Sequence, residues 1–372
     1  MWNIFKKKKL NVIFIIMDGT RLDAIEKIPY YQELKKESVF FPKLITYAPY
    51  TLASLSSLFS GMYGYKNGVN GYYKSFSFDK ENCFTLPQYL KESGYRTESD
   101  FLREDLIPSP GLDKQRIHDE FNEDLLVRHS EILTQIKNKK PFLLFLQHSK
   151  IHANIITNVA KKYSDFDEKY FGNKEQNFLT FVEWVDEGSK YLQGIIEKIK
   201  DLELYDNSLI FVLSDHGSSV GDRSGEKMYG TYLYDYTINC FLYMIGKEFP
   251  KNLEIKSIIR NIDILPTILD ILKLKEKENY KKMQGKSFLP FIYEEEERVA
   301  YSETGGLGGP TPSPEVHNLQ SVRTNKWKLI YNKTNDKKEL YNLKEDPQEN
   351  SNLIGKNPEI EERLWKELQK HN

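Results

Sequence analysis

Two apolar runs with no polar alternation constrain this chain more than any other feature. Residues 11–17 read NVIFIIM and residues 208–213 read SLIFVL. A strand exposed on one face alternates apolar and polar side chains. A continuous β-branched run instead suits a strand buried on both faces of a parallel sheet, where ligand sites collect beyond the C-terminal ends of the strands. Each run ends in side chains that bind metals: Asp18-Gly19 after the first, Ser214-Asp215-His216-Gly217 after the second. A third run, residues 141–147 (PFLLFLQ), leads into His148-Ser149-Lys150-Ile151-His152. Imidazole suits proton donation to a departing oxygen because its pKa lies near neutrality, so both His148 and His152 are candidates for that task.

Residues 47–64 (YAPYTLASLSSLFSGMYG) place Thr51 where an extended Ala48-Pro49 segment meets a short helical pattern of Leu52, Leu55, Leu58 and Phe59. Free backbone N–H groups and the positive dipole end at a helix N-terminus favour anions and help to ionise a hydroxyl. As a residue on its own, Thr51 is an ordinary N-cap candidate. With Asp18, Asp215 and His216 at strand ends, it becomes a candidate nucleophile beside a metal. Aspartate with imidazole favours manganese or zinc, and magnesium or calcium is also admitted.

Taken together, NVIFIIMDGTRLD, TLASLSSLFSGMYGYKNGV, LYDNSLIFVLSDHG, RNIDILPTILDIL, GKSFLP, WKLIYN and ELYNLKEDPQENSNL occur in an order that resembles the alkaline phosphatase superfamily, in its sulfatase and phosphoglycerol-transferase branch. The resemblance implies an α/β fold, a three-layer sandwich around a mostly parallel sheet, with a small C-terminal α+β subdomain. We place the catalytic domain at 1–298 and the subdomain at 299–372. The resemblance also implies one divalent ion on Asp18, Thr51, Asp215 and His216, since the Asp-x-x-x-His pair of two-metal relatives is missing. Arg21 and Asp23 match a pair that braces the metal loop.

Sulfatases of this family carry cysteine or serine at the Thr51 position, within a Cys/Ser-x-Pro-x-Arg signature, and convert it to formylglycine. Here the sequence is Thr51-Leu52-Ala53-Ser54-Leu55, and threonine cannot yield that aldehyde. Threonine is the nucleophile of the family's phosphodiesterases and phosphoglycerol transferases. The expected activity is therefore hydrolysis or transfer of phosphoesters, chiefly phosphodiesters, on a small molecule or glycan. A sulfate-ester hydrolase and a non-catalytic binder of phosphorylated glycans are the alternatives. The Lys-Trp-His group that grips sulfate is replaced by Phe101-Leu102-Arg103-Glu104, which leaves Arg103 as a substrate contact; Lys227 and His317 are further candidates.

A net charge of -1 and a pI near 6.7 give no reason to expect a polyanion-binding surface, so nucleic acid is not an expected partner. Cys83 and Cys240 are too few for a disulfide framework and read as buried thiols. The basic cluster Lys6 to Lys9 precedes an apolar run far short of the roughly 18 residues that span a bilayer. The expectation is a cytoplasmic protein with no stable membrane insertion. Gly285-Lys286-Ser287 is no phosphate loop, because Tyr280 stands where its first glycine belongs. Nothing in the sequence reads as oligomeric state.

Overall fold

The computed structural model describes residues 9–74, 77–137, 141–294, 296–306 and 314–371. Lys6 to Lys8 of the basic cluster lie outside them. The main sheet is built from β1 (Asn11–Met17), β2 (Val39–Ile45), β3 (Arg96–Phe101), β4 (Lys114–Ile117), β5 (Phe142–His148), β6 (Ser208–Leu213), β7 (Asn239–Ile245), β8 (Leu253–Glu254) and β9 (Ile259–Arg260). Their order is β4-β3-β5-β1-β6-β7-β2-β8, and β9 also pairs with β2. The five strands from β4 to β6 and the β2 pairings with β8 and β9 are parallel where they meet, and only β7 runs against both its neighbours. β1 lies at the centre, with Phe14 stacked between Phe145 and Phe211 at 4.6 and 4.9 Å.

The alternation of side chains along β1 sorts the core into two layers. Val12, Phe14 and Ile16 pack with Phe145, Phe211 and Leu213 under the helices Thr51–Ser60, Leu86–Glu92 and Ile264–Leu272. Ile13, Ile15 and Met17 pack with Leu144, Leu146 and Val212 under Leu125–Ile136 and Lys174–Asp201. Gly188 does not interrupt the helix, which runs continuously from Lys174 to Asp201. The glycine serves close packing instead, because a Cβ there would lie 3.1 Å from His148 Cε1.

A separate antiparallel sheet, β10 (Ala300–Thr304), β11 (Leu319–Arg323), β12 (Trp327–Asn332) and β13 (Lys337–Asn342), is followed by the helix Pro358–Gln369. The fold is thus the expected mostly parallel α/β sandwich with a small C-terminal α+β unit. Residues 321–331 form parts of two strands. Thr324 breaks the run, accepting at its hydroxyl from Trp327 N at 3.0 Å and donating its own N–H to Trp327 O at 2.8 Å. Cys83 and Cys240 are free and buried. Among the described residues, no helix is long and apolar enough to cross a membrane.

Candidate active site

Asp18 leaves the end of β1 on the face that Ile16 occupies, and Asp215 leaves β6 on the same face as Leu213. His216, next in the chain, should point the other way, and the turn at Gly217 brings it back. Gly217 N–H donates to Thr237 O at 2.8 Å, and a Cβ at 217 would sit 2.1 Å from Tyr236 O, so only glycine fits. The result is a buried group in which one ligand atom each from Asp18, Asp215 and His216 lies within 4.8 Å of the others. His216 Nε2 is 3.5 Å from Asp18 Oδ1 and 3.8 Å from Asp215 Oδ2.

Thr51 is the first residue of its helix, after an extended Tyr50, and its Oγ1 is 3.2 Å from His216 Nε2. The first turn is fastened to the metal-ligand strand: Ser54 Oγ donates to Asp215 O at 2.7 Å, and Asn261 Nδ2 donates to Ser54 O at 2.8 Å. The four predicted side chains therefore meet at one point.

The donor set fits a cation. Asp18 Oδ1 and Asp215 Oδ2 are buried with no hydrogen-bond partner, a costly arrangement for two carboxylates unless a positive charge sits between them. Burial and then the charge of Asp215 push the Asp18 carboxyl well above its ordinary range. The other atoms are already held. Gln147 Nε2 donates to Asp18 Oδ2 at 2.7 Å, and Gly19 N and His216 N donate to Asp215 Oδ1 at 3.3 and 3.0 Å. His216 Nδ1 lies 2.8 Å from Gly217 O, which makes Nδ1 the protonated nitrogen and leaves the Nε2 lone pair for a metal. Arg21 braces the loop as expected, donating to Ser218 O at 3.1 Å and pairing with Asp23 and Asp222 at 2.6 Å each.

His152 and His148 separate. His152 Nδ1 is 2.6 Å from Glu120 Oε2, and its ring lies 6.2 Å from that of Tyr229, which packs 4.6 Å from His216. Burial works against its positive charge, but the Glu120 hydrogen bond and the carboxylates Asp18, Glu120 and Asp215 outweigh it and hold its pKa above the ordinary value. His148 faces the opposite side of β5, stacked on Tyr191 at 4.4 Å, and burial lowers its pKa to about 3. It cannot protonate a leaving group there; strand alternation gives the site to its neighbour Gln147.

The three substrate-contact candidates are corrected in part. Lys227 turns away: its Nζ donates to Tyr163 O at 2.8 Å and Ala160 O at 3.3 Å. His317 is buried with Nε2 2.6 Å from Tyr50 OH and Nδ1 3.5 Å from Glu303, so both ring nitrogens serve the protein. Arg103 is 57% exposed and paired with Asp105 at 2.6 Å. A second cluster, Asp100, His118 and His129, was not foreseen. There Asp100 Oδ1 and His118 Nδ1 are 2.5 Å apart, a hydrogen-bond distance too short to bracket an ion, and Arg128 Nε already neutralises Asp100 at 2.7 Å. Gln147, Glu120, Tyr229 and Ser54 are site residues that sequence reasoning missed. Counting parity along β5 points to Gln147, and the other three carry no local signal.

A carboxylate and imidazole cluster beyond the parallel strands, facing an alcohol at a helix start, is an arrangement of the alkaline phosphatase superfamily, whose enzymes are hydrolases or transferases. Within that class the chain belongs to the sulfatase family: the family model described as Sulfatase matches residues 10–274, and N-sulphoglucosamine sulphohydrolase, C-terminal, matches residues 230–372. Enzymes of this family use a divalent metal ion. Among relatives, the chain is 24% identical over 354 residues to an ulvan-active sulfatase of Formosa agariphila, covering 87% of this chain and 66% of that one. It is 24% identical over 273 residues to the low-salt glycan biosynthesis sulfotransferase Agl7 of Haloferax volcanii, covering 70% and 60%. The chain thus spans just under two thirds of these relatives, or less. Two solved structures share the fold. One is a protein in complex with its substrate D-glucosamine-2-N,6-O-disulfate (TM-score 0.75, 16% identity, covering 98% of this chain and 97% of that one). The other is the phosphonate monoester hydrolase of Agrobacterium radiobacter (TM-score 0.74, 14% identity, covering 97% and 95%).

Proposed function

We propose that this protein is a metal-dependent hydrolase or transferase of phosphoesters, chiefly phosphodiesters of small molecules or glycans, with Thr51 as its nucleophile. The observation that carries the reading is Thr51 Oγ1, at the first position of a helix and 3.2 Å from the imidazole of the cation-fitting cluster. Asp18 Oδ1, Asp215 Oδ2 and His216 Nε2, with Thr51 Oγ1, are the atoms that would hold the ion. When bound, a divalent ion supplies positive charge that lowers the Thr51 hydroxyl pKa and offsets charge on the ester's nonbridging oxygens.

The chain's own residues do the rest. Ser54 and Asn261 fix the helix start, so Thr51 approaches phosphorus from one direction. The first-turn N–H groups face the anionic ester, as they do at helix N-termini that bind phosphate. His152, bonded to Glu120 through Nδ1, gives its proton to the departing oxygen. Tyr229 packs against the His216 ring at 4.6 Å and so steadies the imidazole.

The test is turnover of bis(4-nitrophenyl) phosphate and 4-nitrophenyl sulfate by the metal-loaded wild type and Thr51→Ala. The expected result is phosphodiester cleavage that falls by roughly 10³ or more in Thr51→Ala with metal content unchanged. Full activity in Thr51→Ala removes the nucleophile assignment. A second reading, hydrolysis of sulfate esters, draws on the C-terminal match to N-sulphoglucosamine sulphohydrolase. It replaces the first if sulfate is released and the phosphodiester is not cleaved.

A further inference from the structure

We propose that Glu120 is the positioning residue that makes His152 a proton donor, and that the site is consequently built for esters of unactivated alcohols. The proposal rests on the reading of Thr51 as nucleophile. Its basis is a ladder of contacts between two segments outside the metal cluster. His118 Nε2 lies 2.8 Å from Ser149 Oγ, Lys150 Nζ donates to Glu120 O at 2.7 Å, and His152 Nδ1 meets Glu120 Oε2 at 2.6 Å. The segment carrying Glu120 is itself anchored. His118 is bonded to Asp100, and Arg128 donates to Asp100 through Nε and to Ile117 O through Nη2 at 2.8 Å. Asp100, His118 and Arg128 thus hold Glu120 in place, and Glu120 holds the imidazole.

A carboxylate on Nδ1 fixes the ring's orientation and leaves Nε2–H as the proton to be given. The groups facing His152 are the carboxylates Glu120, Asp18 and Asp215, with Lys150 on its own helix and Tyr229 across the ring. A cation on Asp18 and Asp215 offsets their charge, and Glu120 then remains as the acid that keeps His152 protonated. An aryl oxide leaves without help, but an alkoxide must be protonated as its bond breaks. A clamped imidazolium is of use only to the second.

In the step, the bond from Thr51 Oγ to phosphorus forms as the bond to the departing alcohol breaks, Thr51 having lost its proton to solvent beforehand. The His152 Nε2 proton passes to the departing oxygen, which keeps the bonding pair and leaves as neutral alcohol. Neutral His152 then takes a proton from the water or acceptor alcohol that attacks phospho-Thr51.

The experiment measures kcat/KM on the metal-loaded enzyme for phosphodiesters that differ only in the leaving alcohol, from 4-nitrophenol to simple alkanols. Wild type, Glu120→Gln, Glu120→Asp and Thr51→Ala are compared, and the pKa of His152 is read by NMR. In Glu120→Gln, the alkyl ester should lose about 10²–10⁴ in kcat/KM while the nitrophenyl ester changes a few-fold. The alkaline limb of the profile and the NMR pKa should both move to lower pH, and Glu120→Asp should recover part of each. Equal losses for both leaving groups, or an unmoved pKa, overturn the proposal. If those results come with Thr51→Ala inactive, only the role of Glu120 falls. If Thr51→Ala cleaves the nitrophenyl ester at the wild-type rate, the nucleophile reading falls with it.

Discussion

Gln147 and His148 are adjacent, and one residue of parity separates a group that touches the metal cluster from one that never meets it. The Gln147 amide donates to Asp18 Oδ2 and accepts from Leu102 N at 3.0 Å, so its orientation is fixed from both ends. Gln147→Leu should leave the fold intact and weaken divalent-metal affinity by roughly 10–100-fold in a chelator competition; unchanged affinity would show that Asp18 needs no such support. His148 makes a different prediction. Its folded pKa is depressed to about 3, below that of the unfolded chain, so the unfolded state binds the extra proton between the two values. Its contribution to stability is complete above about pH 6.5 and is lost as the pH falls toward 3. Urea unfolding midpoints should drop over that window in the wild type and drop less steeply in His148→Gln. Asp18, Asp215 and His216 were legible because each follows a continuous apolar run, and Thr51 because it opens a helical pattern. Glu120 was not, because it lies in a loop and its partner is brought to it only by the tertiary fold.

Among the elements, β1 and β6 were readable to the residue, since short continuous apolar runs ending at polar turns suit strands buried on both faces. Short strands such as β8 and β13 gave no such signal, because two residues, or a run of KKELYN, resemble loop. The loop after β6 is the harder case. It is stitched down by its own side chains: Glu226 accepts from Thr231 N at 2.7 Å, Tyr232 N at 2.9 Å and Tyr236 OH at 2.5 Å. That organisation carries Lys227 away from the site. At the head of this loop, Gly217→Ala should force the Tyr236 backbone to move, lowering Tm by several degrees and abolishing stoichiometric metal binding. Retained metal binding would mean that the turn tolerates a Cβ.

For the molecule as a whole, the C-terminal sheet is joined to the nucleophile segment by a buried hydrogen-bond network. Glu303 N donates to Tyr47 O at 2.8 Å, Tyr47 OH donates to Glu303 Oε2 at 2.6 Å, and Tyr50 OH meets His317. Burial opposes the Glu303 charge, but His317, Tyr301 and Tyr47 outweigh it and hold its pKa at about 2. A depressed carboxylate stabilises above its unfolded pKa and ceases to as the pH falls through about 2. Tyr47→Phe should cost about 1–3 kcal/mol in unfolding free energy and lower kcat along with it; a stability loss with kcat intact would show that the small sheet only props the large one. The fold class was legible in the motif order, whereas this network was not, since its members lie far apart in the chain.

The centre of the main sheet sets a timetable for synthesis. Asn11 in β1 pairs with Ser208 in β6, 197 residues later, and β5 closes the other side of β1 from residue 142 onward. While the ribosome is still working through the first half, a sticky hydrophobic ribbon waits with both edges bare. Nascent chains of this protein should therefore lean on chaperones until β6 emerges, and pauses in translation before that point should show up as aggregates.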